Sequence, residues 1–262
     1  MKETRVSDPT PTPIPTPAGA PTPEALDREA GHITTALDTG AQALGEYVGE
    51  TSEADTAADF AGDAAAALDD AYDAVRSAVA KAREIAADIN IYPTGRHAQI
   101  NELMQRTAAK VAEAVKTATE AAEVAETVAV ASATPEVDRR DALTARHDLD
   151  LVLGNVNDGT VSARLEALMA TDSPAAHLAA SDYLRLYLIA KGASPERIEA
   201  LTLKARHEAL KAAAASTDRS RQAAARAAMA TTNARKAAAA LQSALGMTRR
   251  HVDRVRKTIP AN

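Results

Sequence analysis

The stretch LDREAGHITTALDTGAQALGEY, Leu26–Tyr47, carries small or apolar residues at alternating steps of four and three. The repeated positions are Leu26, Ala30, Ile33, Leu37, Gly40, Leu44 and Tyr47. Because a repeat of about 3.5 residues keeps one side of a helix facing a neighbour, this spacing predicts a long helix with a coiled-coil seam. Thr22, Pro23 and Glu24 provide an N-cap, a first-turn proline and a first-turn acid, so we expect the helix to begin there.

The same rhythm returns in the next predicted helix. Ser52, followed by the acidic Asp55, predicts a second helix start by a capping box. The seam of that helix is Leu68, Tyr72, Val75, Val79, Ala82, Ala86 and Ile89. The sequence NIYPTG at 90–95 interrupts it, and a third helix is expected from about His97 to Ala133. Residues 22–134 are therefore predicted to form an acidic coiled-coil region with an antiparallel helical hairpin.

The composition argues against a thick hydrophobic core. Aromatic residues make up 2% of the 262 residues, and alanine dominates the apolar fraction. Alanine buries little area, and burial stabilises by only ~25 cal/mol per Å² of apolar surface. We therefore expect an all-α protein whose long helices pack closely side by side between chains, as a homo-oligomer.

Three further regions differ in amino-acid composition. Seven prolines lie between residues 9 and 23, so residues 1–21 are expected to form a disordered Pro/Thr-rich tether. Residues 135–193 hold most of the large leucines and predict a compact helical region, with helix starts at Thr134-Pro135 and Ser173-Pro174. Residues 194–262 predict a long basic helix, which Ser216–Asp218 is expected to bend or interrupt.

Charge is distributed unevenly along the chain. The net charge is −6, but residues 1–79 hold 4 Lys/Arg against 15 Asp/Glu, whereas residues 194–262 hold 14 against 5. The two ends therefore differ in net charge, −11 against +9. Such a gradient is typical either of solvated helix faces or of a basic end that binds an anionic partner.

The stretch ALGMTRRHVDRV, Ala244–Val255, carries the pattern of a helix, a turn and a second helix. Gly246 is the residue that would permit the turn, and Thr248 is placed to cap the following helix. The apolar residues that would pack the two helices together are Leu241, Leu245, Met247, Val252 and Val255.

This stretch resembles the turn and recognition helix of bacterial helix-turn-helix DNA-binding proteins, over about 20 residues. The resemblance implies contacts to duplex DNA from Thr248, Arg249, Arg250, Asp253, Arg254, Arg256 and Lys257. The chain departs from the pattern at Gln242, where such motifs usually have alanine, and only 259–262 remain for a supporting helix. On this interpretation the protein is a non-enzymatic, DNA-associated helical oligomer.

An alternative interpretation needs no turn. Gly246 would then end the long helix, and basic residues there would complement the helix dipole. The overall layout is similar in style to phage scaffolding proteins: an acidic, alanine-rich helical body, a flexible N-terminus and a short basic helical end that engages coat protein. That resemblance implies an assembly protein whose basic end docks an acidic protein surface.

Little in the sequence predicts catalysis, a metal or a cofactor. The chain has no cysteine, and its six histidines do not pair at the spacing of three or four residues that a helical metal site requires. We found no glycine-rich phosphate loop or nucleophile motif, so we expect no enzyme activity. The N-terminus MKETRVSDPT lacks an apolar leader, and no run of ~18 uncharged apolar residues occurs. We expect a cytoplasmic protein without a membrane span.

Overall fold

The computed structural model describes residues 19–260 and confirms the all-α prediction, since no strand occurs in that range. The helices are α1 (Pro23–Thr51), α2 (Asp55–Ala87), α3 (Pro93–Ala133), α4 (Ala142–Leu153), α5 (Val161–Met169), α6 (Pro174–Ala180), α7 (Asp182–Ala190), α8 (Pro195–Ala214) and α9 (Arg219–Arg256). In the same range, no helix is long and apolar enough to cross a membrane. The predicted tether, residues 1–21, lies almost entirely outside the described residues.

Four of these helices, α1, α2, α3 and α9, form an antiparallel bundle. Ion pairs show the direction of the chain: Asp27 on α1 pairs with Arg83 on α2, and Asp38 pairs with Arg76. Contacts between α2 and α3, and between α3 and α9, run in the same antiparallel sense. The bundle therefore has an up-down-up-down order, with α4–α8 inserted between its third and fourth helices.

The predicted seam of α1 lies inside this bundle. Thr22 caps the helix by accepting a hydrogen bond from the Ala25 amide at 3.3 Å, as the sequence predicted. Ile33, Leu37 and Leu44 are buried in the bundle core. The seam thus faces helices of the same chain, because α9 returns to pack beside α1. The helix surface expected to join separate chains is already covered here by the chain itself.

Small residues set the distance between the helices. Gly40 is buried, and a Cβ placed on it would lie 2.1 Å from the Tyr72 hydroxyl. That hydroxyl donates a 2.8 Å hydrogen bond to the carbonyl oxygen of Ala237 on α9. Burial, with the charge of Asp69, raises the pKa of Tyr72 to about 12, so the phenol stays protonated and remains a donor. Gly40 therefore provides the space that lets a tyrosine of α2 reach the backbone of α9.

The inserted helices α4–α7 and the first half of α8 enclose a second core, which is rich in leucine. Its largest fully buried side chains are Leu149, Leu153, Leu165, Leu184 and Leu188. The predicted helix starts at Ser173 and Ser194 occur, and each serine hydroxyl accepts a hydrogen bond from a backbone amide.

An ion pair connects this unit to the bundle. Both carboxylate oxygens of Asp172 accept hydrogen bonds from Arg221, at 2.6 and 2.8 Å. The Nε of Arg221 donates to the carbonyl oxygen of Ala133 at the end of α3. Hydrogen bonding from Arg221 holds the pKa of Asp172 well below its usual range, so the aspartate is ionised at neutral pH.

Two predicted helix starts are wrong. Ser52 does not cap α2, because its hydroxyl bonds back to the Gly49 carbonyl and α2 begins after Ala54 without a side-chain cap. The helix expected at Thr134-Pro135 begins only at Ala142, after a loop. The predicted interruption at 216–218 occurs, and the Asp218 side chain caps α9 by accepting the Ser220 and Arg221 amides.

We expect Gly40→Ala to lower the free energy of unfolding by about 2 kcal/mol. The new methyl overlaps the Tyr72 hydroxyl and lies 3.0 Å from the Ala240 Cβ, so the ring must move and its hydrogen bond to Ala237 weakens. Urea denaturation followed by circular dichroism measures the change. Gly45→Ala is the matched control, because nothing lies within 4 Å of its added Cβ, and it should be neutral or stabilising. Equal effects of the two substitutions would contradict the close approach described here.

Candidate functional site at the end of α9

The predicted turn at Gly246 is wrong. α9 runs without interruption through this residue, which does not have a positive φ. Five apolar side chains were expected to pack two helices of a helix-turn-helix. Leu241, Leu245, Val252 and Val255 are buried in the bundle core, and Met247 is partly buried against it. The same apolar spacing also suits one straight helix, and the neighbouring helices α1, α2 and α3 cover that stripe. The expected motif is therefore not formed.

Thr248 is placed inside the bundle rather than at a helix start. The residue is fully buried, and its hydroxyl donates a 2.9 Å hydrogen bond to the Ala244 carbonyl one turn earlier. A threonine bonded in this way is part of a continuous helix. Thr248 is therefore not a helix cap, and its hydroxyl is not exposed.

Three other expected contact residues bind partners within the chain. Asp253 pairs with Arg256 at 3.0 Å, and Arg256 also donates to the side-chain oxygen of Asn101 on α3. Arg254 pairs with Glu29 on α1. The contacts to Glu29 and Asn101 join α9 to α1 and α3, and the ion pairs reduce the positive charge that the sequence alone indicated.

Arg249, Arg250 and Lys257 remain exposed, and none of them pairs with an acid among residues 19–260. We call these three residues, together with Arg254, the basic face. Arg250, Arg254 and Lys257 recur at four and three residues, so they lie along one side of the helix over about 10 Å. The four cations thus form a compact surface at the C-terminal end of α9.

A shallow groove borders the basic face on the α3 side. Its volume is about 280 Å³, and its polar lining consists of Arg249 and Arg256, Asn101 and Gln105, and the carboxylate of Asp253, which pairs with Arg256. The Nε of Arg256 is buried without a hydrogen-bond partner among the described residues. Guanidinium and amide donors on these walls are suited to carboxylate or phosphate oxygens. Sequence reasoning missed Asn101 and Gln105, because nothing in the spacing of α3 indicates that it lies beside α9.

Beneath the basic face, His251 is buried between three helices. The Nε of Arg83 donates to its Nε2 at 3.3 Å, which leaves the proton on Nδ1, 3.4 Å from a Glu29 carboxylate oxygen. Burial lowers the pKa of His251 below its ordinary value of 6.5, the charges of Arg83 and Arg254 lower it further, and Glu29 opposes them. The ring is therefore neutral at pH 7 and joins α1, α2 and α9.

This histidine predicts how stability depends on pH. Below pH 6.5 the unfolded chain binds a proton at residue 251 that the folded chain does not, so the free energy of unfolding falls as the pH drops below about 6.5. We expect His251→Gln to remove that part of the slope, up to about 1.4 kcal/mol per pH unit, since glutamine keeps both hydrogen bonds without titrating. Denaturant unfolding curves recorded at each pH measure this slope.

The exposed His32 of α1 offers the control for this measurement. His32→Gln, which removes an exposed imidazole of the same helix that carries Glu29, is measured in parallel. Because the pKa of Asp172 is lowered, protonation of this aspartate changes the free energy of unfolding only at more acidic pH than protonation of His251. If His251→Gln and the unchanged protein share one slope, His251 is not the titrating group.

The site thus consists of exposed cations on a convex helix face, a groove beside them and a neutral polar contact beneath. Within residues 19–260, no three His, Asp or Glu side chains are grouped closely enough to hold a metal ion. Comparison of the chain with protein-family models, with curated proteins and with solved structures found no match.

Proposed function

We propose that this protein is a non-enzymatic assembly protein that docks an acidic protein surface through the basic face. The observation that carries the proposal is that Arg249, Arg250 and Lys257 are exposed cations without acidic partners among the described residues, on a helix fixed by its buried side. A rigid support keeps these side chains at set spacings, which favours recognition of a partner with matching carboxylates.

The size of the basic face matches a helix or a short acidic segment. Arg250, Arg254 and Lys257 span about two helical turns, or roughly 10 Å. Carboxylates spaced four and three residues apart on a partner helix would meet them one by one, and the groove beside Arg249 would accept a further acidic side chain. Arginine suits such contacts because its planar guanidinium binds a carboxylate through two hydrogen bonds.

The surroundings of the basic face are less suited to a long polyanion. Glu29 and Asp253 lie among its cations, and Asp27 is exposed two residues before Glu29 on α1. The continuous phosphate array of duplex DNA would extend past the cations onto these acids. In addition, α9 lies between α1 and α3, so it cannot enter a major groove about 12 Å wide without them.

Duplex DNA remains the second candidate, and the same exposed cations favour it. Arg249, Arg250 and Lys257 could each neutralise a phosphate from the outside of a duplex. Binding of this kind would carry no base readout and would depend steeply on salt. It differs from the expectation derived from the sequence, which included contacts to base edges from a recognition helix.

We expect the triple variant R249Q/R250Q/K257Q to lose binding to a labelled helical peptide that bears glutamates four and three residues apart. Fluorescence anisotropy with the full chain at low and physiological salt measures the affinity. Removal of the three cations eliminates the charge-assisted contacts and should weaken binding at least about tenfold.

Arg139 and Arg140 provide a matched control, because they form another adjacent pair of exposed arginines, in the loop before α4. R139Q/R140Q should bind the peptide like the unchanged chain. A duplex of random sequence, titrated in parallel, tests the second candidate. If the duplex binds more tightly than the peptide, and the triple variant lowers the salt slope by about 0.9 for each lost phosphate contact, DNA replaces the acidic partner. If neither probe distinguishes the triple variant from the control, the basic face is not a binding site.

A further inference from the structure

The outer surface of α7 and α8 exposes an unusual amount of apolar area. Leu186, Ile189 and Leu203 are 64%, 54% and 68% exposed, while Leu184 and Leu188 on the opposite side of α7 are fully buried. Isolated exposed leucines are common, but several together on two adjacent helices usually mark a binding surface. The sequence around them, DYLRLYLIAKG, makes α7 apolar on nearly every side. Only the inner half of that surface is used by the leucine-rich core.

A groove of about 640 Å³ runs between these two helices. Its apolar lining includes Ile189 of α7 and Ile198 and Leu203 of α8. Three charged residues line it as well: Arg185, Glu199 and Arg206, of which Arg206 is already paired with Glu126 of α3. Arg185 and Glu199 are exposed, and neither pairs with another charged residue among the described residues. The groove therefore presents an apolar floor with one unused positive charge on the α7 side and one unused negative charge on the α8 side.

We propose that this groove is a self-association surface that binds the same groove of a second copy of the chain. A two-fold axis through the apolar floor places α7 of one copy over α8 of the other. Arg185 of each copy then faces Glu199 of the other copy, and both pairs form at once because the contact is isologous. Ile189 and Leu203 of the two copies meet in the centre, where they exclude water from the charge pairs.

The charge pattern selects a second copy as the occupant. An unrelated apolar helix would leave Arg185 or Glu199 partly desolvated without a partner, which is unfavourable. A uniformly acidic partner would satisfy the arginine and repel the glutamate. A second copy of the groove supplies a glutamate for Arg185 and an arginine for Glu199, as the two-fold arrangement requires. The proposed contact between copies therefore differs from the one expected from the sequence. That contact used the coiled-coil seam of α1, which is covered inside the bundle.

The extent of the surface indicates a reversible dimer. Stable interfaces bury about 800 Å² on each partner, and we expect a contact limited to the nine-residue α7 and the first half of α8 to be smaller. We therefore expect dissociation in the micromolar range, with a dimer population that grows with protein concentration. This inference does not rest on the proposed binding of acidic partners, since α7 and α8 lie outside the basic face.

Charge reversal at the groove tests the proposal in the full chain. We expect the unchanged protein to shift from monomer to dimer between about 1 µM and about 200 µM in sedimentation velocity. Arg185→Glu places a second carboxylate opposite Glu199 of the other copy, and Glu199→Arg places two guanidinium groups together. Each single variant should raise the dimer dissociation constant at least about tenfold.

Recombining the charges provides the decisive readout. An equimolar mixture of the two single variants restores opposite-charge pairing in a heterodimer, as does the double variant R185E/E199R in a homodimer, so both should dimerise like the unchanged chain. Arg139→Glu, an exposed reversal elsewhere, should have no effect. Circular dichroism confirms that each variant is folded. The proposal is overturned if the unchanged protein stays monomeric, if either single variant dimerises normally, or if mixing restores nothing.

Discussion

The close approach of α9 to its neighbours is the constraint on which the rest of the structure depends. Its buried face is formed largely by alanine, so the backbones lie near one another and dispersion contacts replace the large buried areas of an aromatic core. The hydrogen bond from Tyr72 to Ala237 and the absence of a side chain at Gly40 belong to the same packing arrangement. A composition that predicted too weak a core for a single chain is therefore sufficient here, because four long helices share one seam.

The same packing explains where the charges are. A helix covered on three sides has only a narrow strip left for polar residues, and α9 carries nine Lys/Arg against one acid within its 38 residues. Those at the edges of the strip meet acids on the flanking helices, as Arg254 meets Glu29 and Arg235 meets Glu126. Arg249 and Arg250 have no acidic partner among residues 19–260. At the C-terminal end of α9 the ion pairs of Arg254 and Arg256 therefore leave a basic face that is smaller than the net charge of the C-terminal third suggested.

Local signals in the sequence predicted the helices well, whereas neighbours could not be predicted. Thr22-Pro23 and Ser194-Pro195 mark true helix starts, because a cap and a first-turn proline act through residues a few positions away. Apolar residues spaced alternately four and three positions apart indicate that a helix packs against a neighbour. They do not indicate which helix, or which chain, that neighbour belongs to. Gly246 illustrates the limit: a glycine between apolar residues can turn the chain or continue the helix, and here the helices packed against α9 decide.

The polar contact at His251 could not be predicted for a related reason. Its partners Glu29 and Arg83 lie 222 and 168 residues away, and no spacing rule connects them. The groove of α7 and α8 could be predicted only in part. An apolar run of that length exceeds what one buried face needs, but the charged edges of the groove come from two helices that meet only in the fold.

The two proposed surfaces would act together, because a dimer formed through α7 and α8 would carry two basic faces. Each face alone offers a few exposed contacts, and contacts of this kind are individually weak and screened by salt. When a partner presents repeated acidic sites, the second face binds at the effective concentration set by the first, and overall affinity rises without any new contact. That gain exists only for a partner with repeated sites, such as an assembling lattice of identical subunits, and is absent for a single acidic protein. Weak docking at the end of α9 combined with reversible dimerisation therefore suits an assembly protein better than a one-to-one binder, since it discriminates between a growing array and its free subunits.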